Sequence, residues 1–314
     1  MTYIHWKSGF TLCLTVYVVF IAIILSKYFI FPYFCESFWK TMRELLIRTV
    51  SGAVLAALVI GSILVHPLSY AVFLLFVVVV GTFEMGRLNA MAEKRSLCFV
   101  ETLAIVSFAL SSLVAVGVLP LRILSLNLLI IVLPFLLALF SKQFKFSQIA
   151  TFAYGSLAFL SLPCSLMVFM YDKSLFDNLA GPALVLFVYA LMWANDTFAY
   201  LTGSLLGKHK LCPRISPGKT IEGSLGGLLM TAIGFLIYNH YSQSMSLPAA
   251  LGLVIVAVVF GTLGDLCESM LKRQAGVKDS GKLIPGHGGI LDRFDSVMFS
   301  VPFVFTYLLL LCES

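Results

Sequence analysis

The chain has 314 residues, of which 60% are hydrophobic and 11% charged, and its mean hydropathy is +1.00. This composition excludes a soluble globular protein, because so few polar side chains cannot cover the apolar bulk of the chain. The net charge of +6 does not predict nucleic acid as a partner, since basic residues in membrane proteins usually mark cytoplasmic loops. Seven scattered cysteines without a Cys-x-x-Cys pair indicate neither a disulfide framework nor a zinc site.

Repeated apolar runs predict transmembrane helices, since about 20 helical residues cross the hydrocarbon core of a bilayer. The runs lie near residues 10–26, 49–66, 68–87, 98–118, 122–141, 148–171, 180–205, 222–240, 248–271 and 290–312. They are continuously apolar rather than alternating, so a transmembrane β-barrel is not expected. The predicted fold class is therefore all-α, a polytopic membrane bundle of about 9–10 transmembrane helices.

The basic residues predict the orientation of this bundle. When loops are assigned to alternate sides, 18 of the 21 lysines and arginines fall on one side. The other side keeps Lys7, Arg122 and Lys173. The positive-inside rule makes the lysine-rich side cytoplasmic.

The N-terminal residues 1–41 are interpreted as an extension with an extra transmembrane helix. No small-residue cleavage site is evident before Lys27, so an uncleaved span is favoured over a signal peptide. Met42 offers a second start, which would leave nine spans and a cytoplasmic N-terminus. Residues 42–314 are predicted to form the membrane-embedded domain, with the polar chemistry in residues 190–300.

The first polar segment surrounds Asp196, inside an apolar run. An ionised aspartate there costs about 2.5–3.5 kcal/mol on insertion scales, so Asp196 needs a partner or a wet cavity. Helical spacing puts Asp196, Tyr200 and Ser204 on one face, which we expect to point into the bundle. The adjacent Asn195 has a competing interpretation, that of a polar group which fixes helix packing.

The second polar segment contains Gly218-Lys219-Thr220, which imitates the end of a nucleotide P-loop. That motif needs a glycine where this chain has Pro213, so the P-loop is rejected. Its physical logic remains, because a glycine lets the backbone approach a phosphate while Lys219 and Thr220 supply a charge and a hydroxyl at a helix start.

The third and fourth segments carry carboxylates at the ends of two spans. Helical spacing puts Asp265, Ser269, Lys272 and Arg273 on one face, and it also puts Asp292 and Asp295 together. Two interpretations stay open: structural salt bridges, or carboxylates that hold Mg²⁺ beside cations that hold phosphate oxygens. Mg²⁺ is typically bound by one or two carboxylates plus substrate phosphates, which suits two carboxylate-bearing helix ends.

Between these segments lies a glycine-rich loop. His287, flanked by glycines, is a candidate to donate to a phosphate or orient a carboxylate, and a structural hydrogen bond is the competing interpretation. Lys278 and Asp279 would ordinarily be a solvated pair. The glycines argue against a merely solvated loop, because they favour close approach of the backbone to another group.

The pattern from Ser269 to Asp295 resembles the signature of the phosphatidate cytidylyltransferases, the CDP-diacylglycerol synthases. It reads Ser-x-Leu-Lys-Arg-x4-Lys-Asp-x-Gly-x2-Ile-Pro-Gly-His-Gly-Gly-x-Leu-Asp-Arg-Phe-Asp. The upstream Asp196-Thr-Phe-Ala-Tyr and Ser216-Pro-Gly-Lys-Thr-Ile-Glu-Gly are similar to that family too. The resemblance covers about residue 43 to the end.

The resemblance implies transfer of the cytidylyl group of CTP to phosphatidic acid, with release of pyrophosphate and a requirement for Mg²⁺. It implies that Asp265 and Asp292 hold the metal centre, which could contain a second cation. Phosphate-binding and catalytic candidates are Ser216, Lys219, Lys272, Arg273, Lys278, His287 and Arg293. Supporting candidates are Asp196, Asp279 and Asp295.

The expected partners are CTP, phosphatidic acid and membrane lipids, with a homodimer left open. The expected location is the bacterial inner membrane, with the active site on the cytoplasmic side.

A polyprenol or phytol kinase that uses CTP is an alternative enzyme. A transporter of phosphorylated solutes is less favoured, because the polar clusters gather on one membrane face and no repeat relates the two halves.

Overall fold

The computed structural model describes residues 31–88, 94–140, 146–176, 181–242 and 245–312. Contacts divide the chain into two units, Met1–Ala53 and Val54–Ser314. The described part of the first unit is helical, and the predicted span near 10–26 lies outside the described residues. The division into an extension and a domain near residue 42 stays a prediction.

The described residues form eleven α-helices and one β-hairpin. The helices are α1 Phe31–Val65, α2 Pro67–Leu88, α3 Lys94–Ala115, α4 Leu126–Phe140, α5 Phe146–Ser156, α6 Leu162–Phe169, α7 Lys173–Phe176, α8 Pro182–Leu206, α9 Ile221–Ser242, α10 Leu247–Gln274 and α11 Leu291–Cys312. A 3₁₀ turn, Leu121–Ser125, precedes α4, and a π turn, Leu157–Ser161, joins α5 to α6. The strands are β1 Lys210–Cys212 and β2 Ser216–Thr220.

Eight helical segments among the described residues are long and apolar enough to cross a membrane. The predicted all-α polytopic bundle is therefore confirmed. The run predicted near 122–141 is the exception, since its apolar part, Leu121–Leu136, falls short of a span. It starts as a 3₁₀ turn and contains Pro134, which removes a helical hydrogen bond.

The β-hairpin between α8 and α9 is an addition that the sequence analysis did not predict. Its strands are antiparallel, with Lys210 opposite Thr220 and Cys212 opposite Ser216. The chain passes directly from β2 into α9, where the Thr220 hydroxyl accepts a hydrogen bond from the Gly223 amide at 3.1 Å. Lys219 therefore lies on a strand just before a helix and not in an open loop.

The helices that carry the polar segments approach each other closely at glycines. A Cβ atom at Gly264 of α10 would lie 2.8 Å from the carbonyl oxygen of Asp295 on α11. A Cβ atom at Gly227 of α9 would lie 2.9 Å from the Cβ of Ala199 on α8. Both distances are too short for a side chain, so each helix pair approaches more closely at its glycine than a larger residue would permit. The polar ends of the helices are thereby brought together.

Candidate functional site

The centre of the site is an ion pair between Lys219 on β2 and Asp265 on α10. Lys219 Nζ lies 2.6 Å from Asp265 Oδ2, and the two side chains are 26% and 29% exposed. The hydroxyl of Ser269 donates to the other carboxylate oxygen of Asp265 at 3.2 Å. The predicted shared face of Asp265 and Ser269 is confirmed, and the second and third polar segments meet here.

More charged groups surround this pair. Asp196 and Asp295 both interact electrostatically with Asp265. Lys219 and Arg293 in turn act on Asp196. Three carboxylates and two cations from α8, β2, α10 and α11 therefore share one region, which we call the open cluster.

The predicted orientation of Asp196 is wrong in one respect. Asp196, Tyr200 and Ser204 are all exposed, and Asn195 is the polar residue of that helix that points into the bundle. The reason is that the buried face of α8 continues through Asn195, whose side chain packs against Gly227 of α9. Asp196 therefore lies at the accessible side of the helix, in the electrostatic field of the open cluster.

A second group of charges, which we call the buried cluster, consists of Lys272, Glu268 and Asp292. Lys272 contacts Glu268 one helical turn earlier, and its Nζ lies 2.6 Å from Asp292 Oδ1. The side chains of Lys272, Glu268 and Asp292 are 12%, 1% and 4% exposed. Lys272 offsets one of the two negative charges of these carboxylates. The salt bridge that the sequence left open between Asp265 and the cations later on α10 is replaced by this pairing, and Asp265 pairs with Lys219 instead.

Asp292 also binds the backbone of the glycine-rich loop, residues 276–290. Its Oδ2 accepts hydrogen bonds from the Gly289 amide at 2.7 Å and from the amide and hydroxyl of Ser280, both at 3.0 Å. Together with Lys272, these donors occupy both oxygens of Asp292. A direct role of Asp292 in binding a cation stays a prediction, and Oδ1, which faces Lys272, is the less occupied of its two oxygens.

The remaining candidates lie on the loop and around it. Arg273 donates to the carbonyls of Ile215 and Val277, each at 3.3 Å, and so ties α10 to the hairpin. Lys278 and Asp279 are exposed in the loop. His287 is half-buried, and its amide donates to the carbonyl of Ile284 at 3.0 Å.

Three glutamates with structural roles were not among the candidates predicted from the sequence. Glu84 on α2 and Glu268 on α10 are buried inside predicted spans. Both could have been identified from the sequence, because an ionisable residue within a transmembrane span is rarely without a partner. Glu222 at the start of α9 accepts hydrogen bonds from the amides of Lys208 and His209, both at 3.1 Å. His209 Nδ1 also lies 2.5 Å from Glu222, so Glu222 fastens the hairpin to α9.

The protein alone would supply only part of the ligand shell of a cation at this place. Within the described ranges, no group of three histidine, cysteine, aspartate or glutamate side chains is arranged to hold a metal ion. The open cluster offers carboxylate oxygens only, which is the donor set that Mg²⁺ prefers. A cation that takes one or two carboxylates and completes its shell with water and ligand phosphates fits this cluster.

Comparisons with known proteins agree with the motifs. A sequence profile described as the cytidylyltransferase family matches residues 46–311. Relatives from Staphylococcus aureus strains COL and MSSA476, both named phosphatidate cytidylyltransferase, are 44% identical to this chain over 162 residues. A relative of the same name from Staphylococcus saprophyticus is 43% identical over 162 residues. In each comparison the aligned region spans 51% of this chain and 59% of the relative.

Proposed function

Because the chain belongs to the cytidylyltransferase family, we propose that it transfers the cytidylyl group of CTP to phosphatidic acid. The products are CDP-diacylglycerol and pyrophosphate. The names of the relatives support this substrate pair. The helical bundle supports it as well, since eight apolar helices would hold the polar site beside lipid.

The observation that carries the proposal is the partly exposed ion pair between Lys219 and Asp265. Both reactants are polyanions, so the site must supply cations that can move onto phosphate oxygens. Lys219 is held by a carboxylate that is accessible to solvent, and such a pair can separate at small energetic cost. An incoming phosphate takes Lys219, and Asp265 is then free to face a cation.

The chemistry needs positioning more than a strong base. A phosphate oxygen of phosphatidic acid forms a bond to the α-phosphorus of CTP while the bond from that phosphorus to the bridging oxygen breaks, and pyrophosphate leaves. The attacking phosphate is already ionised, so the protein mainly has to align the reactants and neutralise their charge. Lys219, Arg293 and Arg273 are the proposed phosphate contacts, with Ser216 beside them on β2.

Mg²⁺ is the proposed cofactor, and Asp265 is its proposed principal ligand. When bound, Mg²⁺ supplies positive charge to the phosphate oxygens and orients them. Asp196 and Asp295 would support it from the same cluster. Asp292 would be a second ligand, and a second cation belongs to the same proposal.

The finer location also belongs to this proposal. We place the protein in the bacterial inner membrane with the open cluster on the cytoplasmic side, where CTP is available. The supporting argument is the sequence asymmetry of lysine and arginine across the predicted loops. A homodimer stays a prediction.

The direct test uses the full chain purified in detergent with phosphatidic acid and CTP labelled at the α-phosphate. We expect the label to enter a lipid product in equal amount to the pyrophosphate released. Omission of phosphatidic acid is the control for CTP hydrolysis. The proposal is overturned if no label reaches lipid while a polyprenol receives the γ-phosphate of CTP, which would identify a kinase.

A further inference from the structure

Glu84 makes contacts that the sequence motif does not include. It lies near the C-terminal end of α2 and is 3% exposed. Its Oε1 accepts a hydrogen bond from the Ile290 amide at 3.1 Å, and its Oε2 accepts from the Leu291 amide at 3.0 Å. The hydroxyl of Ser280 lies 3.0 Å from the same Oε2. One carboxylate from the N-terminal half of the chain thus meets both ends of the glycine-rich loop.

The two contacts give the first amides of α11 hydrogen-bond acceptors that the helix itself cannot provide. The first amides of a helix have no carbonyl partner within the helix, and they carry the positive end of its dipole. Glu84 satisfies the amides of Ile290 and Leu291 from a different helix. A buried carboxylate in this position fixes where α11 begins and how the loop enters it.

Two glycines make room for this carboxylate. A Cβ atom at Gly289 would lie 2.6 Å from Glu84 Oε1, and a Cβ atom at Gly281 would collide with the same oxygen. Neither glycine has a positive φ, so backbone conformation does not require glycine at these positions. The space taken by Glu84, and at Gly289 also by the Ser280 hydroxyl, does require glycine, because the interior tolerates no overlap of this size without displacement.

Ser280 connects Glu84 to the buried cluster. Its hydroxyl lies 3.0 Å from Glu84 Oε2 and 3.0 Å from Asp292 Oδ2. A hydroxyl has a single proton, so the two carboxylates share one donor. The contacts continue from Asp292 to Lys272 and Glu268, and they join α2, the loop, α11 and α10 in one polar network.

We propose that Glu84 is a positioning residue which holds the glycine-rich loop and the start of α11 in the conformation that orients Asp292 and Lys272. The inference rests on the proposed transfer reaction for its catalytic consequence. Its structural consequence, the order of the loop, can be measured separately. Glu84 itself acts through Ser280 and the backbone and needs no contact with substrate.

The first experiment measures amide hydrogen exchange and kinetics on the full chain in detergent. In Glu84→Gln an amide group replaces an oxygen that accepts a hydrogen bond, so one of the three donors is left unpaired. We expect the amides of Ser280, Gly289, Ile290 and Leu291 to exchange about tenfold faster or more, with α8 and α9 unchanged. We expect kcat to fall while KM for phosphatidic acid stays within about twofold.

Glu101→Gln is the matched control, since Glu101 is a half-buried glutamate on α3 that makes no hydrogen bond or ion pair with the described residues of the loop. It should change neither the exchange nor the kinetics. Unchanged loop exchange in Glu84→Gln, or a uniform rise over all helices, would overturn the proposal. If the wild-type chain proves inactive with CTP and phosphatidic acid, the proposed function fails, and the exchange data still decide the role of Glu84.

A second experiment tests the contact between Glu84 and Gly281 through thermal unfolding. Gly281→Ala should lower Tm in the wild-type background, because the new methyl group collides with the carboxylate. In the Glu84→Ala background the space is vacant, and the same substitution should cost much less. Gly234→Ala is the control, since no atom lies within 4 Å of its Cβ position. Equal shifts of Tm by Gly281→Ala in both backgrounds would contradict the assignment.

Discussion

The open and buried clusters contain the same chemical groups in different environments. Lys219 and Asp265 are each about a quarter exposed at 26% and 29%, whereas Asp292 and Glu268 are 4% and 1% exposed around Lys272. Separating a buried pair leaves an uncompensated charge in a medium of low dielectric, and separating an exposed pair does not. The comparison teaches that the open cluster can exchange partners with a ligand while the buried cluster sets the frame around it.

The largest effect is expected for Asp292→Asn, because the substitution removes both a buried ion pair that holds the loop and a carboxylate proposed to take part in the reaction. The substitution leaves Lys272 and the Ser280 and Gly289 donors without their carboxylate. We expect loss of activity together with a loss of about 3 kcal/mol of stability, the scale for breaking a buried ion pair. Thermal unfolding and the transfer assay, with membrane insertion as the control, measure both. Normal stability with lost activity would instead assign Asp292 to direct catalysis.

Asp265→Asn should affect activity alone. The lost carboxylate is partly exposed, so its ion pair contributes little to stability. We expect turnover to fall by about 10²–10³ while Tm changes by little, because the proposed cation and the substrate phosphates would lose their central charged partner. Initial rates over a range of Mg²⁺ concentrations are the measurement. Near-normal turnover would rule out Asp265 as the principal ligand.

Glu222→Gln should have a smaller effect that depends on the position of the hairpin. The variant weakens the contacts to Lys208 and His209 that fasten the hairpin to α9. Lys219 on β2 should then be less well placed, and we expect turnover to fall about tenfold. Hydrogen exchange of residues 208–220 would rise in the same variant. Reduced turnover without faster exchange would show that Glu222 acts in another way.

The smallest effect is expected for Lys278→Met. Lys278 is exposed in the loop, so its attraction to a phosphate is screened by salt. We expect KM for CTP to rise less than about threefold at low ionic strength, and the difference to vanish at about 1 M salt, where the screening length is about 3 Å. A salt-independent loss would place Lys278 inside the site, as the family resemblance implied.

The sequence predicted the spans well because each is a local feature. A run of about 20 apolar residues specifies a transmembrane helix without information from other segments. The helix around Leu121–Leu136 failed this expectation where Pro134 and a 3₁₀ turn intervene. The hairpin was missed because a few polar residues on short strands give no clear period-2 signal.

Most residues of the site were predicted from the sequence, but the contacts between them were not. Asp265 and Lys219 were candidates, but their pairing joins residues on separate elements and cannot follow from spacing within one helix. Glu84 is separated from its partners by about 200 residues of chain. The orientation of Asp196 was wrong because helical spacing defines a face without saying which neighbour covers it. Close packing of α9 at Gly227 decided that outcome.

The glycine contact between α10 and α11 fixes the distance between these two helices at the site. Gly264 immediately precedes Asp265, and the carbonyl of Asp295 lies against it across the helix boundary. The spacing of the two main chains beside Asp265 is therefore set by atoms that no rotamer change can move. A side chain introduced at Gly264 should accordingly push the two helix ends apart, whereas a substitution on the exposed side of the open cluster should leave their spacing unchanged.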